Sequence, residues 1–448
     1  MTKNDAAKKG LETVLKRKGS VALLGIGGIG MSALASLLQS EGITVFGFDR
    51  KANGETARLS REGISVTVPE GTCLPDGTDA LVYSLAVEKT HPLLLDAKKK
   101  KLPVLSRAEL LSLVTEGYEK RIVVAGTHGK STVTAMLAKI FSDAGEKPTV
   151  LCGAKMENGA PFLRGSHKLL IMEGCEYKRA FLSFRPTTAV VLNAEWDHPD
   201  VYKSKEEAAE AFNAFLSLPT VKLCVTGEDI QKGAVFSLHK GDLYARDLTY
   251  IEGRGVFTPV FFGTPLPRLH LSVLGEHNVK NALAALLVAL LLGVSPDTAV
   301  DALSHFEGAG RRMEYKGTLF GARVYDDYAH HPTEIRAAVS AARKVTAGKL
   351  ILVFESHTYS RTAAFFKDFV VALKTADLVF VADIFAAREK NESGVSGKAL
   401  AEAACGVYIE NEGDFLARIE STVEAGDTVL FCTAGDFSKI IARFPLEM

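Results

Sequence analysis

The chain has no surplus of charge and almost no tryptophan. Its 448 residues include a single Trp, and Lys plus Arg and Asp plus Glu both total 53. A formal net charge of zero gives no electrostatic footprint for nucleic acid or an anionic membrane, leaving only a local basic cleft. Cysteine is scarce too, with six residues scattered at Cys73, Cys152, Cys175, Cys224, Cys405 and Cys432. None forms a CxxC pair, which reads as reduced thiols in a cytoplasmic protein. Long apolar runs are missing. The longest, "ALAALLVALLLGV" from Ala282 to Val294, is too short to span a bilayer and suits a buried helix. The N-terminal "MTKNDAAKKGLETVLKRKGS" is polar and lysine-rich, without the apolar core of a signal peptide. There is no low-complexity tract and no short-period repeat.

Apolar residues, by contrast, make up 47% of the chain. That fraction excludes disorder, and the length allows two to four domains with large cores. Strand-like apolar runs alternate with helical patterns almost throughout, which predicts an α/β protein with parallel sheets covered by helices. Three blocks follow: a Rossmann-like one opening at "SVALLGIG", a P-loop-like one opening at "IVVAGTHGKS", and another Rossmann-like one after the Gly-rich "FEGAGRR". The expected domains are 1–118, 119–309 and 310–448, each an open doubly wound sheet with the middle one parallel or mixed. Ligands of such sheets gather at the carboxyl ends of strands. There the chemistry-bearing motifs fall.

"GIGGIG", Gly25 to Gly30, lies between a predicted strand and a predicted helix over Gly30–Ser40. Its glycines suit a tight turn and close approach to a pyrophosphate at the helix N-terminus, and Asp49 sits where a ribose-binding acid belongs. The pattern does not separate NAD from a UDP-sugar, and a bare glycine turn is the bland alternative.

"AGTHGKST", Ala125 to Thr132, also joins a strand to a helix. It departs from the Walker template, which needs four residues between its glycines. Gly126 and Gly129 have only Thr127 and His128 between them. Lys130 and the hydroxyl of Ser131 would suit phosphate and Mg²⁺, while a surface turn with a solvated lysine fits equally.

Further along, "MEGCEY" places Glu173 and Glu176 after one strand. "NAEWDHPD" places Asn193, Glu195, Asp197, His198 and Asp200 after the next. Carboxylates and a histidine at adjacent strand ends are Mg²⁺ candidates. Glu195 and Asp200 read better as turn or cap residues, Trp196 as packing, and Cys175 as a small buried residue. "HNVKN" offers Asn278 and Asn281 to a base or ribose, or as helix caps. "YDDYAHHPTE" gathers two Asp, two His and a Tyr. No spaced second ligand set for zinc is visible, and Pro332 with Thr333 and Glu334 suits a capped helix start. Arg361 in "ESHTYSRT" can grip a carboxylate with two hydrogen bonds or pair with a surface acid.

Taken together and in order, "GTHGKST", "EGCEY", "NAEWDH", "HNVKN", "RR" and "DDYAHHPTEI" resemble the Mur ligase family over nearly the whole chain. The resemblance implies three domains for UDP-sugar, ATP and amino acid, and an ATP-dependent reaction through an acyl phosphate. It implies that Gly126, Thr127, His128, Gly129, Lys130, Ser131 and Thr132 cradle ATP, with Asn278 on adenine, Asp326 or Asp327 on ribose and Arg312 on the γ-phosphate. Lys130, His198 and Arg312 would carry catalysis, and Ser131, Glu173 and His198 would hold Mg²⁺. Gly25, Gly27, Gly28, Ile29, Gly30, Asp49 and Ser84 would line the UDP end. Tyr328, His331 and Arg361 would surround the incoming amino acid.

"GIGGIGMSALA", "DDYAHHPTEI" and "HTYSRT" are most similar to members that attach L-alanine to UDP-N-acetylmuramate. The implied partners are these small molecules, with no nucleic acid or membrane, for a monomer or homodimer. Departures from the family pattern fall at Ser131, Pro199, Glu355, Ser356, Thr358 and Asp436. The rivals are a family member that adds a preformed peptide and, in another class, an NAD-dependent oxidoreductase. The latter leaves "GTHGKST" unexplained. A non-catalytic homologue is opposed by the presence of Lys130, Glu173, His198 and Arg361.

Overall fold

The structure, a computed structural model, describes residues 3–387 and 389–447. The chain divides into two compact units. One holds the residues up to Gly126 with Gly145–Val191 and Ala211–Cys224. The other holds Thr127–Ala144, Leu192–Glu210 and the chain from Val225 onward.

In the first unit a five-stranded sheet runs in the order Ser65–Thr67, Thr44–Phe48, Ser20–Leu24, Ala80–Tyr83, Val104–Ser106, all parallel. The central strand reads SVALL and is buried at every position, as a strand covered on both faces must be. Ala22 and Leu24 pack with Phe48, Leu81 and Leu93. The helix after "GIGG" spans Ile29–Ser40 with Gly28 as its N-cap. A second set of strands in this unit runs Thr188–Val191, Lys120–Ala125, Leu169–Glu173, Thr149–Leu151, again parallel, with Phe162–Leu163 antiparallel at the edge.

In the second unit the helix Lys130–Asp143 packs against Glu276–Leu291 and Pro296–Ser304. Ala282 through Ala289 are all fully buried, so the apolar run is a buried helix. The middle block is mixed, one of the two forms expected of it. Leu223–Gly227, Ala234–Ser237 and Leu243–Ile251 are parallel neighbours, but Arg254–Phe261 pairs antiparallel with Leu243–Ile251 and with Leu269–Leu274. The hairpin turn is Glu252-Gly253, both at positive φ (47° and 75°), the two-residue geometry that matches strand twist. The last sheet is ordered Glu314–Leu319, Ala322–Asp327, Thr428–Thr433, Leu350–Glu355, Leu378–Val381, Val407–Tyr408, with only the first pair antiparallel. Alternation along Leu350–Glu355 sends Leu350, Leu352 and Phe354 to one core and Ile351 and Val353 to the other.

Candidate functional site

The shortened glycine loop is a built structure. Gly126 lies at φ 135° and Gly129 at φ 84°, the latter as N-cap of the helix Lys130–Asp143. A Cβ at Gly129 would meet Asn281 Oδ1 at 2.5 Å, so this position needs glycine for both conformation and space. Asn193 clasps the loop. Its Oδ1 accepts from His128 N at 2.9 Å and its Nδ2 donates to His128 O at 3.2 Å. Thr127 N donates to Asn193 O at 3.3 Å, and Thr127 Oγ1 to Glu195 O at 2.7 Å. Lys130 Nζ donates to Thr127 O at 3.0 Å. Ser131 is buried, and Arg312 Nη2 donates to its hydroxyl at 3.5 Å.

His128 projects from this loop between two carboxylates. Its Nδ1 lies 2.9 Å from Glu334 Oε1 and its Nε2 3.0 Å from Glu195 Oε2. Burial opposes its charge, but Glu334 and Glu195 prevail and lift it to about 9. Burial also opposes the charge on Glu195, yet hydrogen bonds from His128 and Thr333 bring that carboxyl down to about 2. Glu195 therefore does more than the turn chemistry expected of it. Thr333 Oγ1 donates to its Oε1 at 2.6 Å. Glu334 is also the N3 residue of a capping box on the helix Pro332–Arg343, whose N-cap is His331. The capped reading of "HHPTE" is thus realised.

Arg361 is committed to a partner that the sequence did not suggest. Its Nε and Nη2 donate to Asp197 Oδ1 and Oδ2 at 2.8 and 3.0 Å, and both residues are buried. Its Nη1 reaches His357 Nδ1 and O. His198 adopts φ 54°, and its backbone N donates to Asp197 Oδ1 at 2.6 Å. The guanidiniums of Arg311 and Arg312 lie 5.1 and 5.3 Å from the centre of the Tyr328 ring, within cation–π range. Asp326 binds Arg311 at 3.1 Å. Asp327 accepts from Met313 N and Ala329 N, both at 2.7 Å, and burial lifts it to about 6.

A cavity of about 530 Å³ opens beside the loop, lined among others by Gly129, Thr132, Lys280, Asn281, Arg312 and Asp327. Its size is ordinary for a small-molecule site. Asp327 lines it and Asp326 is not among its lining. Asn278 is buried and cannot be a cap, because its Nδ2 donates to Leu274 O while its Oδ1 accepts from Asn281. The helix it sits on is capped by Gly275 without a side-chain bond.

At the "GIGGIG" end, Gly27 N donates to Asp49 Oδ2 at 2.8 Å and Asn53 Nδ2 donates to Gly27 O at 3.1 Å. A Cβ on Gly25, at φ 84°, would lie 3.1 Å from Ser84 Cβ, and one on Gly30 would strike Arg107 Nη1 at 2.3 Å. Arg107, absent from the sequence candidates, therefore sets a positive charge at the first turn of the helix Ile29–Ser40. Glu173 ends its strand and accepts a hydrogen bond from Gly153 N. Trp196 packs on the core and donates to Tyr202 O at 2.9 Å, whereas Cys175 is partly exposed rather than buried. No cysteine is in a disulfide, and no described helix is long and apolar enough to cross a membrane.

A strand, a glycine loop with lysine and hydroxyl, a buried helix and an adjoining cavity are the parts expected of an α/β enzyme of the nucleotide-phosphate-binding class. Comparison with known proteins narrows the class. Residues 20–119 match the Mur ligase family catalytic domain, 124–289 the Mur ligase middle domain, and 311–435 the Mur ligase glutamate ligase domain. The UDP-N-acetylmuramate--L-alanine ligase of Agathobacter rectalis is 40% identical over 84% of this chain and 86% of its own. The enzyme of that name from Caldanaerobacter subterraneus subsp. tengcongensis is 36% identical over 97% and 99%. The crystal structure of UDP-N-acetylmuramate-alanine ligase from Thermotoga maritima superposes with a TM-score of 0.84 at 26% identity, covering 95% of this chain and 98% of that one. The chain belongs to the Mur ligase family and is a ligase of three-domain α/β architecture.

Proposed function

We propose that this enzyme joins L-alanine to the carboxylate of UDP-N-acetylmuramate at the expense of ATP, in the cytoplasm, as a step of peptidoglycan precursor synthesis. The observation that carries the reading is the short glycine loop clasped by Asn193, in a chain whose relatives over nearly its full length bear that activity in their names. An oxidoreductase reading has no use for that loop. The proposed division of labour follows domains 1–118, 119–309 and 310–448.

A carboxylate is a poor electrophile, so its oxygen is first phosphorylated and the amine of alanine then attacks the acyl phosphate. The protein's task is charge neutralisation and positioning. The N–H groups at the start of the helix Lys130–Asp143 point where phosphate oxygens would lie. Lys130 adds positive charge once it leaves Thr127 O, and Arg312 stands over the same turn. Ser131, Glu173 and His198, the Mg²⁺ ligands that the family resemblance implies, carry oxygen and imidazole donors of types that bind this ion. Mg²⁺ supplies neutralisation of developing phosphate charge. In the cavity, Asp327 takes the ATP ribose, and Asn278 serves adenine through the Asn281 amide it orients. Gly25, Gly27, Gly28, Ile29 and Gly30 with Asp49 and Ser84 receive the UDP end. Tyr328, His331 and the Nη1 arm of Arg361 face the amino acid, with Asp197 fixing that guanidinium.

The decisive assay incubates the protein with ATP, Mg²⁺, UDP-N-acetylmuramate and each amino acid or the tripeptide in turn, and reads product masses. An alanine adduct is expected. No amide adduct with any of them refutes the ligase reading, and a preference for tripeptide moves it to the peptide-adding rival. Lys130→Ala is expected to abolish turnover with an unchanged circular dichroism spectrum. Undiminished activity would remove the loop from the mechanism.

A further inference from the structure

We propose that His128, Glu195 and His331 form a second cation site, for a transition metal of the Zn²⁺ type, apart from the magnesium ligands. Each residue offers one ligand atom, and the three atoms lie within 4.8 Å of one another. His128 Nε2 is 3.0 Å from Glu195 Oε2, and His331 Nδ1 is 4.0 Å from Glu195 Oε1. Bonds of about 2.0–2.2 Å to one tetrahedral ion put ligand atoms roughly 3.4 Å apart. Shifts of well under a residue's reach close the set.

The surroundings of His128 match what a metal-bound histidine requires. Such a ligand almost always gives its other ring N–H to a carboxylate, which fixes the tautomer and the ring. Glu334 already holds Nδ1 of His128 at 2.9 Å, leaving Nε2 on the side of Glu195. The ion would take the place of the Nε2 proton. His331 is 2% exposed, and its Nε2 has no hydrogen-bond partner. Its ring is fixed edge-on against Phe365 at 4.8 Å and stands 4.9 Å from the ring of His128. Its Nδ1 would give up its helix-capping role, including the 3.3 Å bond from Thr333 N. Burial and the adjacent His128 hold His331 towards its neutral form, the form that ligates metals. Two imidazoles and one carboxylate select Zn²⁺, Co²⁺ or Ni²⁺ over Mg²⁺. Three protein ligands leave a fourth position for water. The ion would tie the glycine loop to the head of the helix Pro332–Arg343, so its occupancy would also inhibit turnover.

The test is equilibrium dialysis of the full-length, untagged chain against Zn²⁺ with a large excess of Mg²⁺. The parent is expected to keep one Zn²⁺ per chain, and Co²⁺ in its place to give tetrahedral visible absorption bands. Glu195→Gln and His331→Ala should each abolish retention. Glu334→Gln should weaken it about 10- to 100-fold. His198→Ala should leave it intact. If His331→Ala fails to fold, Glu195→Gln decides alone, since its side chain is 40% exposed. No retained Zn²⁺ in the parent overturns the proposal. So does retention that survives Glu195→Gln, or that is lost only in His198→Ala.

Discussion

Asp197→Asn removes one charge from the buried Arg361–Asp197 pair while keeping its volume. Asp197 is 5% exposed and Arg361 2%, and two of the guanidinium's donors end on the carboxylate. Breaking such a pair strands a buried charge and costs about 3–5 kcal/mol. At about 2–4 °C per kcal/mol for a unit of 150–250 residues, the melting temperature should fall by roughly 6–20 °C. Removing both charges is milder, so Asp197→Leu with Arg361→Met should lose less than Asp197→Asn alone.

The pH dependence has a definite sign. Burial raises the Asp197 carboxyl, but Arg361 holds it well below the usual carboxylate range. Its contribution is therefore full above the unfolded value of about 4 and vanishes as pH falls through the lower folded value. The gap between parent and variant should close in strong acid. The reporter is built in, because the sole tryptophan, Trp196, precedes Asp197 and packs against Phe365. Urea unfolding followed by its fluorescence at pH 7 measures the loss. An Asp197→Asn variant within about 1 kcal/mol of the parent, as for an exposed pair, would refute the reasoning.

Burial lifts Glu355 to about 7 against hydrogen bonds from Gly435 N and Phe437 N. An acid raised in the fold stabilises below its unfolded pKa and loses that as pH rises through the folded one. Between pH 4.5 and 7 the parent should therefore lose up to about 3 kcal/mol relative to Glu355→Gln, and parallel urea midpoints across that range would contradict it. Gly129→Ala places a Cβ 2.5 Å from Asn281 Oδ1 at φ 84°. It should cost roughly 2–4 kcal/mol and most of the ATP affinity, and an unchanged nucleotide titration would exclude a loop role for that glycine.

How far the sequence reveals the fold depends on where each strand's partners lie. Ser20–Leu24 and Leu350–Glu355 are buried on both faces, so their apolar runs announce parallel sheets. The antiparallel strands are less legible. Their turns are Glu252-Gly253, Phe262-Gly263 and Phe320-Gly321, each with both residues at positive φ. Only the glycine of each pair is a usual residue for that geometry, and Glu and Phe disguise the signal. The site shows the same division. The glycines, Lys130 and Ser131 are legible because phosphate binding is local to one loop. The role of Glu195 and the attachment of Arg361 are not, because their partners lie across the chain, at His128, Thr333 and Asp197.

That division explains the gap between Gly126 and Gly129. Thr127 gives its backbone N–H to Asn193 and its hydroxyl to Glu195 O, while His128 fills both ring nitrogens with carboxylates from two other segments. Neither residue is a spacer. Inserted residues would lengthen the path from Gly126 to the helix start and pull both side chains away from these partners. The shortness that sets the loop apart from a Walker loop thus follows from the company it keeps. An insertion after His128 should abolish the clasp before it disturbs Lys130, and loss of the Asn193 bonds would be seen as faster amide exchange at His128.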